Sequence, residues 1–112
     1  MPTKTTDKGR EYDIKKGRFL IWHAEVWEDQ GEAPFDVTLP LRMKASIIFD
    51  IGLEGDIDLA SMKAILEAIA PNQQDVMREM DLNDFMHMFE TWQHEYELLN
   101  GASLGESAGS SR

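Results

Sequence analysis

The spacing of hydrophobic and polar residues changes twice along the chain. Residues 19–27 read as a strand, with Leu20, Trp22, Ala24 and Val26 on one face and His23 and Glu25 on the other. A polar, turn-like stretch over 28–34 separates this run from a second one, in which Phe35, Val37 and Leu39 alternate with Asp36 and Thr38. The two runs predict a β-hairpin over 18–40. A lone hairpin is marginal in water, so its apolar face must pack on the C-terminal part of the chain.

After Pro40 the period becomes helical. Residues 41–51 are apolar nearly all round the wheel, through Met43, Ile47, Ile48, Phe49 and Ile51, which predicts a central buried helix, although 46–51 also fits a strand. Gly52 and Gly55 end it. Asp58 caps the next helix, where Leu59, Met62, Ile65, Leu66 and Ile69 recur at steps of three and four. Pro71 closes that helix or opens a short one carrying Val76, Met77 and Met80. The last helix has the clearest stripe: behind a cap at Asp81 or Asn83, the side chains of Phe85, Met88, Phe89, Trp92, Tyr96 and Leu99 fall within roughly 100° of arc. Asn100 and Gly101 stop it.

These elements predict an α+β, mainly α fold, an N-terminal β-hairpin packed on a small bundle of three to four helices. One globular domain spans 18–101, with the hairpin at 18–40 and the helices at 41–100. Residues 1–17 mix charge with Thr and Gly without periodicity and are expected to form a flexible basic arm. The Ser- and Gly-rich stretch 102–112 is expected to be a disordered tail.

A chain of 112 residues supports one modest core. The absence of cysteine excludes a disulfide scaffold, a Cys-based zinc site and a thiol nucleophile. No apolar run approaches the roughly 18–20 residues that cross a bilayer, and the polar residues 1–9 lack a signal-peptide pattern, so a cytoplasmic location is expected. Net charge is −10, unevenly spread: residues 1–18 hold six Lys or Arg against three acids, and the remainder holds five against eighteen. An acidic body repels phosphate backbones and anionic lipid, so the expected partners are proteins, with no nucleic acid and no membrane.

Three patterns have the spelling of chemistry. Gly101-Ala102-Ser103-Leu104-Gly105 matches Gly-x-Ser-x-Gly, yet a nucleophile elbow needs a strand before it and a helix after it, and here a helix precedes and a polar tail follows. Asp50, Glu54, Gly55, Asp56, Ile57 and Asp58 resemble part of a calcium loop, but Gly52 and Ser61 stand where carboxylates are required. His87, Glu90 and His94 share one side of the last helix, opposite the Phe85, Phe89 and Trp92 stripe, where a solvated polar face accounts for them without a metal. The chain is therefore expected not to be an enzyme and to need no cofactor. Met62, Met77, Met80, Met86 and Met88, with the aromatics of the last helix, form an adaptable apolar set that fills an irregular core or grips a partner.

Three segments, Ile69-Ala-Pro-Asn-Gln, Met80-Asp-Leu-Asn-Asp-Phe-Met-His-Met-Phe-Glu-Thr-Trp-Gln and Gly101-Ala-Ser-Leu-Gly-Glu-Ser, carry a family resemblance. The chain resembles tail assembly chaperones of long-tailed actinobacteriophages, most sharply over 69–111 and more faintly back to Phe19 through Thr38-Leu-Pro-Leu-Arg; residues before Gly17 are outside it. The resemblance implies a holdase of the host cell cytoplasm that binds the tape measure protein, keeps it soluble and promotes tail tube polymerisation around it, then leaves before the virion matures. It also implies contact with the tail tube protein and with a long form of the chain made by programmed frameshifting, for which Leu104-Gly-Glu is compatible with a slippery stretch, and it allows a homo-oligomer. Met86, Met88, Phe89, Trp92 and Tyr96 are the expected client contacts. Two other classes fit less well: a structural neck or tail component of the virion, and an acidic DNA-mimic inhibitor, which requires an ordered stripe of carboxylates where this chain scatters them.

Overall fold

A computed structural model describes residues 3–52 and 57–101. Four strands, β1 (Thr3–Thr5), β2 (Glu11–Lys15), β3 (Phe19–His23) and β4 (Asp36–Pro40), form one antiparallel sheet in sequential order. Side-chain alternation puts Tyr12, Ile14, Leu20, Trp22, Val37 and Leu39 on one face, all buried. The register stacks them in two rows across the strands, Tyr12–Trp22–Val37 and Ile14–Leu20–Leu39. The helices α1 (Ala45–Ile51), α2 (Leu59–Ile69), α3 (Gln74–Arg78) and α4 (Leu82–Asn100) come next along the chain. The fold is α+β and mainly α, about 51% helix, 3-10 turns included, and 19% strand among the described residues.

The hairpin expected over 18–40 is β3 and β4, and the expected bundle is the four helices. Of residues 1–17, expected to be a flexible arm, the described part from Thr3 on instead supplies β1 and β2 and belongs to the body. The turn joining β2 to β3 has Lys16 at φ 56° and Gly17 at φ 63°, and the Arg18 N–H donates to the Lys15 carbonyl at 3.0 Å. Two positive φ angles in a two-residue loop match the right-handed twist of paired strands, and glycine bears one of them without strain. Strand β3 ends earlier than its apolar pattern: Ala24 still donates to the Phe35 carbonyl at 3.0 Å, but the Glu25 N–H is taken by the Asp84 carboxylate.

Helix boundaries follow local chemistry. The Asp58 carboxylate accepts from the Ser61 N–H at 2.8 Å and caps α2, and Asp81, not Asn83, caps α4 by accepting from the amides of Asn83 and Asp84. Pro71 both follows the end of α2 and opens a 3-10 turn, Pro71–Gln73, that leads into α3. Gly101 closes α4 in the left-handed conformation, its N–H donating to the Glu97 carbonyl at 2.8 Å.

The core lies between the inner sheet face, α2 and α4. Trp22, Trp92, Phe89, Leu20, Leu39, Ile65, Leu66, Met88 and Val37 are fully buried, each worth about 1.5–3 kcal/mol by transfer from water. Helix α1, expected to be central, has no buried residue. Ile48 and Ile51 pack against the core while Phe49 is 81% exposed, because a seven-residue helix lying on α2 has one covered side, and Phe49 falls outside it.

Candidate binding surface

Helix α4 is seated on the sheet by polar contacts as well as by its apolar stripe. At its first turn the buried Asp84 carboxylate accepts from the Arg10 guanidinium, from the Trp22 indole N–H at 3.1 Å and from the Glu25 amide at 2.8 Å. Arg10 also donates to the His23 carbonyl at 2.5 Å and stacks over the Trp22 ring at 4.9 Å. Three turns on, Glu95 accepts from the Tyr12 hydroxyl at 2.6 Å and from the Lys4 ammonium at 2.9 Å. Burial, and then the neighbouring Glu95 carboxylate, push the Tyr12 hydroxyl well above its ordinary pKa of 10.0. Between them the Trp92 indole donates to the Pro40 carbonyl at 2.8 Å. No buried side-chain N or O among the described residues lacks a partner, so this network is complete and structural.

That seating corrects the expected client contacts. Met88, Phe89 and Trp92 are 0% exposed, fixed between the sheet and α2, and cannot touch another polypeptide while the body is folded. Met86 and Tyr96 are half-buried, and the Tyr96 ring rests on Trp92 with centroids 5.2 Å apart. The apolar stripe nevertheless continues past the core. Leu99 lies about 20° from Met88 around the helix, counting about 100° per residue. Beyond the sheet it is 53% exposed, beside Leu98 at 62%. The last turn of α4 therefore carries Leu98 and Leu99 outward, next to the half-buried Tyr96.

A second apolar surface is a groove of about 230 Å³ where α2, α3 and the start of α4 meet. Leu59, Met77, Leu82 and Phe85 line it, Lys63 and Arg78 stand on its rim, and at one end Glu67 accepts from Gln74 at 2.9 Å. An open hollow of about 590 Å³ between the β1–β2 loop and α4 brings His87, Glu90 and His94 beside Asp7 and Lys8. No three His, Cys, Asp or Glu side chains among the described residues are placed to hold a metal. His87 does not face solvent as expected, since its ring sits edge-on against Trp22 at 5.2 Å. Of the calcium-like loop, 53–56 lie outside the described residues and Asp58 serves as the α2 cap. Ser103 and its Gly-x-Ser-x-Gly neighbours 102–105 also lie outside them.

The outer sheet face carries a polar ladder that the strand pattern did not announce. His23 sits between Asp36, 2.8 Å from Nδ1, and Asp13, 3.1 Å from Nε2, while Asp13 accepts from the Thr3 hydroxyl at 2.6 Å. Ionised carboxylates only accept, so both bonds require hydrogens on both ring nitrogens, and the Asp36 carboxylate, followed by Asp13, raises the His23 pKa above 6.5. A raised folded pKa contributes stability that is complete below the unfolded value and lost as pH rises through the folded one. Asp13 is held low, chiefly by Thr3, so its contribution is lost only on acidification and does not oppose His23 above neutrality. The melting temperature should accordingly be higher at about pH 6 than at about pH 9, by no more than about 4 °C for so exposed a group, and His23→Gln should remove the difference. Equal slopes for the two proteins would show that the ladder is not coupled to folding.

No helix among the described residues is long and apolar enough to cross a membrane. No family model matches the chain, and neither the curated proteins nor the solved structures contain a match.

Proposed function

We propose that the chain is a tail assembly chaperone of a long-tailed phage, binding the tape measure protein, keeping it soluble in the host cytoplasm and promoting tail tube polymerisation around it. The observation that carries this reading is the last turn of α4, where the stripe that builds the core runs on beyond it as exposed leucine. Among the described residues the buried polar groups satisfy one another within the body, and the exposed large apolar groups, Trp27 apart, lie on helices. A holdase requires that division, with apolar surface to cover a client and net charge to keep the pair dispersed. Several carboxylates, those of Asp13, Asp36, Asp84 and Glu95 among them, are spent on contacts within the chain, which argues against a DNA mimic.

The client surface is assigned to Leu98 and Leu99 in place of the buried Met88, Phe89 and Trp92. Leu98→Ser with Leu99→Ser changes two exposed positions and should alter stability by no more than about 1 kcal/mol. Co-expressed with the tape measure protein, the wild-type chain should hold it in the soluble fraction, and the double variant should leave most of it in the pellet. Equal tape measure solubility with either chain would remove α4 as the client surface.

A further inference from the structure

Phe49 is the most exposed of the large apolar side chains among the described residues, and the exposed Asp50 follows it on α1. The groove between α2, α3 and α4 has an apolar floor, Lys63 and Arg78 beside it, and at one end the Glu67 carboxylate, which Gln74 holds. Neither cation makes an ion pair among the described residues. In a chain of net charge −10, a lining of two cations that make no ion pair and one carboxylate already held by Gln74 is positive on balance, and it favours an apolar side chain carrying a carboxylate next to it. At about 230 Å³ the hollow is smaller than the roughly 300–1,000 Å³ of small-molecule sites and suits one large side chain. Trp27 beside Glu28 is the other exposed aromatic with a carboxylate neighbour, but it is only 49% exposed, against 81% for Phe49.

We propose that the groove lined by Leu59, Met77, Leu82 and Phe85 docks the Phe49–Asp50 corner of a second copy of this chain. Phe49 fills the hollow and the Asp50 carboxylate meets Lys63 and Arg78. One phenylalanine covers about 150–250 Å², far below the roughly 1,200 Å² of a stable interface, so the association is weak and reversible. It is independent of the client surface on α4.

Sedimentation velocity of the full chain, over a concentration series reaching about 1 mM, provides the test. The wild type should show concentration-dependent association, and Phe49→Ser and Leu82→Asp should each weaken it by about tenfold or more. Both positions are more than half exposed, and far-UV circular dichroism would verify that the variants are folded. An equimolar mixture of the two variants should associate where neither does alone, since one retains the groove and the other the phenylalanine. Trp27→Ser should behave as wild type. A wild type that stays monomeric throughout, variants that associate undiminished, a mixture that regains nothing, or loss of association in Trp27→Ser would each overturn the proposal.

Discussion

Replacing Asp84 with alanine should lower the unfolding free energy by about 3–5 kcal/mol, the usual cost of removing one partner from a buried ion pair. The carboxylate is wholly buried, and the side chain of its partner Arg10 is only 25% exposed. Without Asp84 the guanidinium keeps the His23 carbonyl but loses its close counter-charge, leaving only Glu25 at 3.8 Å. The Trp22 indole and the Glu25 amide lose their acceptor as well, at about 1–3 kcal/mol for each donor left unsatisfied. A small domain holds about 5–15 kcal/mol in total, so the variant should be close to unfolding at room temperature. Urea titration followed by tryptophan fluorescence should show the midpoint falling with little change in slope. Arg10→Ala added to Asp84→Ala should cost less than the sum of the single changes, because the second removes a charge that the first has stranded. A loss below about 1 kcal/mol for Asp84→Ala would mean that the carboxylate does not clamp α4 to the sheet.

Removing residues 1–17 should abolish cooperative folding. The deletion takes away Tyr12 and Ile14, which cover one end of the core at about 1.5–3 kcal/mol each, and bares one edge of β3. It also strands Asp84 and Glu95, whose cationic partners are Arg10 and Lys4. The combined loss matches or exceeds the whole stability of a domain this size. The truncated chain should be largely unfolded, with dispersion lost from its amide NMR spectrum and no sigmoidal melt. A truncated chain that melts cooperatively near the temperature of the full one would restore the flexible-arm expectation.

Most of the helical layer was legible in the sequence because its signals are local. Asp58 and Asp81 cap the helices they precede, and Gly52 and Gly101 stop the helices they follow. Strands β1 and β2 were not legible, because within 3–15 only Tyr12 and Ile14 are apolar and β1 is exposed throughout. Their anchors are distant in sequence: Arg10 reaches Asp84 across 74 residues and Lys4 reaches Glu95 across 91. One signal did exist. Asp84 and Glu95 lie about 20–40° from Met88 on the helical wheel, flanking one edge of the apolar arc, and carboxylates bordering a buried stripe require donors from elsewhere. The six basic residues of the first 18 are the natural source.

The candidate site was half legible for a related reason. A helical wheel gives direction but not depth, so it assigns Met88, Trp92 and Leu99 to one stripe without separating the buried part from the turn that extends past the sheet. Helix α1 failed in the opposite sense. Apolar residues on every side suggested a buried helix, whereas in seven residues they amount to one packed side and an exposed Phe49.

The central claim is that the chain acts by lending exposed helical leucines to another polypeptide. Light scattering from tape measure protein diluted out of denaturant tests it most directly. The wild-type chain should suppress scattering in proportion to the amount added until the client is saturated, and the Leu98→Ser, Leu99→Ser variant should suppress it little. Scattering unaffected by the wild-type chain, or suppressed equally by both, would contradict the account.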